Sequence, residues 1–287
     1  MMSHAIMSQF TPFVQIKDGS EPPPIFIAHG LSGTVQVGKL AKHIQTKHPI
    51  YGVQAKGIDG MEEPFDRLED MASFYLEKLE ELCPHGPYIL IGYSFGGLVA
   101  LEIAQRMLDK GESVAQLILL DAYPHPRHLA LPQRMSLIAT RVRSHFGKMR
   151  QMPLSEAMSF AFRAAKRRLR MGAPVIDSEG HLETPNSPFN KADLVRVKQK
   201  AFVAYANYRP RFYRGKINFV TTEIKSFFPK DPAAVWGKLA EGLQVEVIPG
   251  DHLNIVTTHF ETLASVLTRV LNREAAAGAD HAAVVKR

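Results

Sequence analysis

The sequence predicts an α/β fold in which helices cover both faces of a mostly parallel central sheet. Short apolar runs bounded by proline and glycine alternate along the chain with longer segments whose apolar residues recur every three or four positions. This alternation is typical of parallel sheets, because each buried strand needs a crossover helix to reach the next one. With 287 residues, 45% of them hydrophobic, the chain can bury a sizeable core.

Six apolar runs are predicted to be strands: Ile25 to Ala28, Ile50 to Gln54, Tyr88 to Ile91, Val114 to Leu120, Ile217 to Thr222 and Val245 to Ile248. Helical spacing relates the apolar residues Leu68, Met71, Phe74, Tyr75, Leu79 and Leu82. The same spacing follows the third run, at Leu98, Ile103 and Met107. Strands and helices therefore alternate up to the fourth run.

The alternation stops after Asp121, where a basic segment interrupts the pattern. Residues 125–210 contain 16 Lys and Arg against 5 Asp and Glu, and apolar spacing over 155–171 predicts an amphipathic helix. We interpret 125–210 as a helical lid inserted into a core made of residues 22–124 and 211–272. Residues 1–21 form an N-terminal segment, and the alanine-rich residues 273–287 are predicted to be a flexible tail.

Composition excludes several classes of protein. The single cysteine, Cys83, cannot form an internal disulfide, and the sequence has neither a signal-peptide pattern nor an apolar run of about 20 residues. These features predict a cytoplasmic protein without a transmembrane segment. The formal charge of +7 allows an acidic partner. It does not predict nucleic-acid binding, because no recognisable binding motif or array of base-stacking aromatic residues accompanies it.

A candidate nucleophile follows the third predicted strand. Gly92-Tyr93-Ser94-Phe95-Gly96-Gly97 begins where the apolar run ends and leads directly into a helical pattern. This is the context of a nucleophile elbow, a turn so tight that Gly92 and Gly96 are needed where strand and helix approach each other. The alternative is a glycine-rich turn with an incidental serine, and the strand and helix on either side favour Ser94 as a nucleophile.

A serine nucleophile needs a base and an acid that orients the base. Among 12 histidines we prefer His252, because it follows the last predicted strand at the sheet edge where Ser94 lies. For the acid, Asp121 and Asp231 both follow predicted strands, and the residues alone leave this choice open. Asp251 is disfavoured because neighbouring residues in an extended loop tend to point in different directions.

Two further assignments concern the oxyanion and a metal. The backbone N–H groups of Phe95 and Leu31 are the candidate oxyanion donors, since one follows the nucleophile and the other lies in the loop after the first strand. In that loop His29 is interpreted as structural. His125 and His128 lie close to Asp121 in sequence, but no second ligand pair with metal-site spacing accompanies them, so no metal is expected. No cofactor is expected either.

The pattern resembles the thioesterase domains of non-ribosomal peptide synthetases and modular polyketide synthases. The resemblance covers about residues 22–272. It is carried by the stretch from Pro24 to Gly30, by Gly86 to Gly97 with the helix residues 98–104, by Leu117 to Asp121, by Trp236 and by Gly250-Asp251-His252. The resemblance implies an α/β-hydrolase fold with a helical lid, and it assigns the acid to Asp121. One departure is Tyr93, which stands where the family commonly has histidine and is expected to leave the triad unchanged.

The function implied by the resemblance is hydrolysis or cyclisation of acyl, peptidyl or polyketide thioesters carried on phosphopantetheine. It would proceed through an acyl-serine intermediate and need no other cofactor. The chain contains no carrier domain, so we expect an acyl or peptidyl carrier protein to act in trans and to dock on the basic lid. A carboxylesterase or lipase with the same triad is one alternative. A non-catalytic binding protein with a hydrolase fold is another.

Overall fold

The computed structural model describes residues 10–28, 30–31, 35–139, 189–225 and 228–284. Within them seven strands form one sheet: β1 (Phe13–Lys17), β2 (Ile25–Ala28), β3 (Ile50–Val53), β4 (Tyr88–Tyr93), β5 (Val114–Leu120), β6 (Tyr213–Ile224) and β7 (Ala240–Asp251). The helices are α1 (Val35–His43), α2 (Leu68–Leu82), α3 (Phe95–Asp109), α4 (Lys191–Asn207), α5 (Ala233–Trp236) and α6 (Phe260–Val284). Residues 131–139 are also helical.

The sheet has the order β1-β3-β2-β4-β5-β6-β7. Every pairing is parallel except that of β1 with β3. The prediction of a mostly parallel sheet is therefore confirmed. The elements that had not been predicted individually are β1 and the helices α1, α4, α5 and α6. Both β6 and β7 begin earlier than the apolar runs that predicted them.

Helices cover both faces of this sheet, because successive strand residues point to opposite sides. In β4, Leu90 packs with residues of α2 and α3, whereas its neighbours Ile89 and Ile91 pack with residues of α1 and α6. All six residues of β4 are buried. A strand that is covered on both faces must be apolar throughout, which explains why the central strands could be predicted from the sequence.

The predicted insertion begins after β5. It includes a 3₁₀ turn (Pro126–His128), the helical residues 131–139 and α4, which packs near α2. The amphipathic helix predicted over 155–171 lies outside the described residues. So do the nine clustered basic residues Arg141, Arg143, Lys148, Arg150, Arg163, Lys166, Arg167, Arg168 and Arg170. At the other end of the chain α6 continues to Val284, and the flexibility of residues 273–287 stays a prediction.

Candidate active site

Ser94 occupies a one-residue turn between a strand and a helix. β4 ends at Tyr93, and α3 begins at Phe95. The backbone of Ser94 has φ 54° and ψ −118°, a conformation that non-glycine residues rarely adopt. Its N–H donates to the carbonyl of Leu120, 2.9 Å away, which ties the turn to the neighbouring strand. The serine side chain is therefore presented at the carboxyl edge of the sheet.

Glycines make this turn sterically feasible. A Cβ on Gly92 would lie 2.3 Å from the carbonyl oxygen of Gly96, and a Cβ on Gly97 would lie 2.4 Å from the Cβ of Ala122. Both distances are shorter than real Cβ contacts allow. The close approach of strand and helix was expected at Gly92 and Gly96. It occurs at Gly92 and at Gly97, one residue further along the helix.

His252 approaches Ser94 from the loop that follows β7. It follows β7 directly, in a loop whose backbone is fixed by two side chains. Asn254 Oδ1 accepts from the N–H of Asp251 (2.8 Å), and Asp251 Oδ1 accepts from the N–H of Leu253 (2.9 Å). His252 Nε2 lies 3.0 Å from Ser94 Oγ, within hydrogen-bond distance although the two residues are far apart in sequence.

Asp121 completes a chain of three side chains. It follows β5 with φ 46°, and its N–H donates to the carbonyl of Val220, 2.7 Å away. Its Oδ2 lies 2.9 Å from Nδ1 of His252, and only 1% of its surface is exposed. An ionised carboxylate can only accept, so Nδ1 carries the proton and Nε2 is left to accept from the Ser94 hydroxyl.

The other oxygen of Asp121 is held by one residue of β6, Thr221, and by one residue directly after β6, Lys225. Thr221 Oγ1 donates to Oδ1 across 2.8 Å, and Lys225 Nζ lies 3.7 Å from the same oxygen and hydrogen-bonds to the Thr221 hydroxyl. The Lys225 side chain is 11% exposed. Burial lowers the pKa of this lysine, and the Asp121 carboxylate partly opposes that decrease. Neither residue was predicted, since nothing in the sequence marks them as neighbours of Asp121.

The imidazole of His252 contacts two aromatic rings. Tyr93 stacks on it with ring centroids 5.2 Å apart and planes at 24°, and Phe228 packs against it in a T-shaped arrangement with centroids 4.6 Å apart and planes at 68°. The Tyr93 hydroxyl donates to the backbone carbonyl of His252, 2.6 Å away. These contacts had not been predicted. The sequence had identified Tyr93 only as a departure from a common motif.

The residues that carry the two candidate oxyanion donors border an apolar cavity. Phe95 is the first residue of α3, so its N–H has no partner one turn earlier within the helix. Leu31 and Phe95 both line the cavity, which has a volume of about 40 Å³. The other walls come from β2, β3 with the segment that follows it, α2, α3 and α4. Lys56 is the cationic residue of this lining, and its Nζ pairs with Glu62 at 3.2 Å.

The remaining candidates have other partners. Asp231 Oδ1 accepts from the N–H of Ala233 (2.9 Å), the first residue of α5. His125 accepts from the backbone of Arg127, and His128 Nε2 lies 3.0 Å from a backbone carbonyl in α4. His29 lies outside the described residues. Within the described part of the chain, no three His, Cys, Asp or Glu side chains are grouped as a metal site requires.

The sheet carries a serine on a strained strand-to-helix turn, and a histidine and a carboxylate lie at the ends of later strands. This is the arrangement of the α/β-hydrolase fold. A family model described as a thioesterase domain matches residues 23–271, and the chain therefore belongs to the thioesterase domain family.

None of the described helices is both long and apolar enough to span a membrane.

Individual relatives agree with this family. The chain is 30% identical over 247 residues to a dimodular nonribosomal peptide synthase of Bacillus subtilis (strain 168), covering 82% of this chain and 10% of that protein. It thus spans about a tenth of the relative's length. Among solved structures, the NocB thioesterase domain in covalent complex with a fluorophosphonate nocardicin G analogue is 24% identical, with a TM-score of 0.58 over 88% of this chain and 95% of that one.

A second solved structure is the type II thioesterase BorB from the borrelidin biosynthetic cluster. It is 16% identical to this chain, with a TM-score of 0.59, and the match covers 90% of this chain and 94% of that one. At these identities the two structures show the fold. They confirm the predicted α/β-hydrolase class with its mostly parallel sheet.

Proposed function

We propose that this protein is a serine thioesterase that releases acyl groups from phosphopantetheine carriers. The observation that carries the proposal is the hydrogen-bonded chain of Ser94, His252 and Asp121, with distances of 3.0 and 2.9 Å. A serine hydroxyl is a weak nucleophile unless a base takes its proton and a third group orients that base. Membership of the thioesterase domain family supports a thioester as the substrate.

The first half of the proposed reaction acylates the enzyme. His252 Nε2 takes the proton of the Ser94 hydroxyl while Oγ attacks the thioester carbonyl carbon, and Asp121 stabilises the resulting imidazolium. The N–H groups of Leu31 and Phe95 are proposed to hold the oxyanion, and such a donor contributes roughly 3 to 4 kcal/mol in comparable enzymes. The carbon–sulfur bond then breaks. The departing thiolate takes the proton from His252 and leaves as the phosphopantetheine thiol.

The second half returns the free enzyme. His252 takes a proton from water, whose oxygen attacks the acyl carbon, and the bond to Ser94 breaks as Oγ regains its proton. The products are a carboxylic acid and the original serine. An internal hydroxyl or amine of the acyl chain replaces water if the product is a macrocycle. The apolar cavity beside Leu31 and Phe95 is the proposed place for the acyl chain.

Intact-mass measurement tests this proposal directly. After incubation with a panel of acyl-pantetheine thioesters, the wild-type protein should gain the mass of one acyl group on Ser94, and S94A should gain none. H252A should lose nearly as much turnover as S94A, and the double variant should be no worse than either, because the two residues act as a unit. Additive losses, or turnover by S94A comparable to wild type, would contradict the assignment.

The same triad geometry serves oxygen esters, and rates separate the two substrate classes. We expect an acyl-pantetheine thioester to be turned over faster than an oxygen ester with the same acyl chain. Faster turnover of the oxygen ester would identify a carboxylesterase. A protein that reacts with neither substrate, and that a fluorophosphonate does not label, would be a binding protein with this fold.

A further inference from the structure

The side chain of Tyr93 touches the candidate base at two places. Its ring stacks on the imidazole of His252, with centroids 5.2 Å apart, and its hydroxyl donates to the backbone carbonyl of the same residue across 2.6 Å. The stacking limits rotation of the imidazole, while the hydrogen bond fixes the backbone from which that side chain projects. One residue of β4 therefore constrains both parts of His252.

The backbone carbonyl of His252 is held by a residue from outside its loop. Asp251 and Asn254 bind backbone N–H groups of the loop on either side of the histidine. The carbonyl of His252 is bound by Tyr93, which belongs to a strand 159 positions away in sequence. The hydrogen bond thus ties the loop after β7 to the strand that carries Ser94.

The same ring also contacts the loop of the candidate oxyanion donor Leu31. A Cβ on Gly30 would lie 3.0 Å from the Tyr93 ring, which is closer than most real Cβ contacts. The glycine therefore lets the loop approach the ring. Tyr93 therefore neighbours both this loop and His252.

The raised pKa of Tyr93 keeps its phenol protonated near neutral pH. Tyr93 is 7% exposed. Burial raises its pKa well above the usual 10, and the charges of Asp121 and Asp251 raise it further. An ionised phenolate could not donate to a carbonyl. The protonated phenol can keep the hydrogen bond to the His252 carbonyl.

We propose that Tyr93 is a positioning residue that holds His252 at hydrogen-bond distance from Ser94. The proposal rests on the proposed function, in which His252 is the general base. General-base catalysis requires the base to lie within about 2.6 to 3.2 Å of the proton it abstracts, and misplacement by about 1 Å can cost on the order of 10²-fold in rate. The Tyr93 hydroxyl itself is engaged with a carbonyl and transfers no proton in the reaction.

A matched pair of variants tests this role. Y93F removes the hydroxyl and keeps the ring, and Y88F makes the same change on the same strand, where the buried Tyr88 hydroxyl donates to the backbone carbonyl of Cys83 at 3.0 Å. Both variants lose one hydrogen bond from a tyrosine to a carbonyl, so their thermal midpoints should fall by similar amounts. Only Y93F alters the support of His252.

Two measurements are made on the full chain at a temperature where all variants are folded. The first is the rate constant for labelling of Ser94 by a fluorophosphonate, which depends on the nucleophile and base rather than on acyl recognition. We expect a decrease of about tenfold or more for Y93F and of less than about twofold for Y88F. The second is the downfield proton NMR resonance of the His252 Nδ1–H bonded to Asp121, which should broaden in Y93F and remain in Y88F.

The outcomes separate this inference from the proposed function. Suppose that the wild-type protein is labelled at Ser94. If Y93F then reacts as fast as Y88F, or keeps the downfield resonance unchanged, the positioning role is overturned and the proposed function stays intact. A wild-type protein that is not labelled at Ser94 would overturn both. Slow labelling of Y93F with a broadened resonance, at a thermal midpoint equal to that of Y88F, supports the inference.

Discussion

Ser94 and Asp121 are the two non-glycine residues with positive φ in the described part of the chain, at 54° and 46°. Each follows the last residue of a central strand, and each contacts one nitrogen of His252. Such conformations cost roughly 1 to 3 kcal/mol apiece and persist where the surrounding structure imposes them. Here the hydrogen bonds from their N–H groups to the neighbouring strands impose them.

The two acids considered from the sequence can be compared by mutation. We predict that D121N reduces thioester turnover by about 10⁴-fold, because an amide favours the wrong imidazole tautomer and cannot stabilise the imidazolium. D231N should change turnover by less than about twofold, since Asp231 Oδ1 accepts from the N–H of Ala233. Steady-state kcat/KM for both variants decides the matter, and the reverse ranking would move the acid to the strand after β5.

Lys225 makes a contribution to stability that depends on pH. Burial lowers its pKa below the ordinary 10.5, so between the lowered value and 10.5 the unfolded chain binds more protons than the folded one. In that window the free energy of unfolding rises with pH, because loss of the proton removes the cost of a buried charge. The variant K225M lacks this pH-dependent contribution to the free energy of unfolding. We predict that the stability of wild type relative to K225M increases as pH rises towards 10.5.

Denaturant titrations at several alkaline pH values measure this difference. K230M is the control, since Lys230 lies five residues later and is exposed. A constant difference between wild type and K225M would show that Lys225 keeps an ordinary pKa.

At the scale of elements, the turn around Ser94 predicts contrasting effects of two glycine substitutions. G92A places a methyl group 2.3 Å from a backbone carbonyl, where no flexible side chain can move aside, so we expect a loss of about 2 kcal/mol or more in stability. G38A introduces the same group in α1, where it would meet no heavy atom within 4 Å apart from its chain neighbours and the nearby backbone of its own helix. It should raise stability by about 0.5 to 1 kcal/mol. Urea unfolding of both variants tests the contrast, and equal effects would contradict it.

The elements that were predictable are those buried on both faces. β2, β4 and β5 could be located because their side chains are apolar along nearly the whole run. β1 was not predicted, because its burial is partial and it joins the sheet by antiparallel pairing with β3. The first halves of β6 and β7 contain glycine and charged residues, and they are strands because they pair with each other.

The site was predictable to the same limited extent. Ser94 and His252 follow strands whose position the pattern showed, whereas the preference for Asp121 over Asp231 came from the family resemblance. Lys225, Phe228 and the role of Tyr93 could not be predicted, because their closeness to His252 or Asp121 results from long-range packing and leaves no local pattern.

At the scale of the whole molecule, the uneven charge predicts how a carrier protein reaches the site. Nine basic residues between positions 141 and 170, outside the described part of the chain, belong to the predicted lid. If they attract an acidic carrier, kcat/KM for a carrier-bound substrate should fall steeply with salt, because exposed charges are screened over about 8 Å at physiological ionic strength. A short uncharged thioester should show almost no dependence on salt.

Charge reversal in the predicted lid is a second test of carrier docking. R167E, R168E and R170E together should slow turnover of the carrier-bound substrate and leave the small thioester unaffected. Equal salt sensitivity of the two substrates, or an unaffected triple variant, would reject docking on the lid.

The three side chains of the candidate triad come from the ends of β4, β5 and β7, and β7 is an edge strand that pairs with β6. During synthesis, Ser94 and Asp121 leave the ribosome well before the histidine they need. Under the proposed function a nascent chain therefore stays chemically inert until its last strand has been added to the sheet. Reactivity towards a serine-directed probe then reports completed folding, so refolding can be followed by the appearance of a nucleophile.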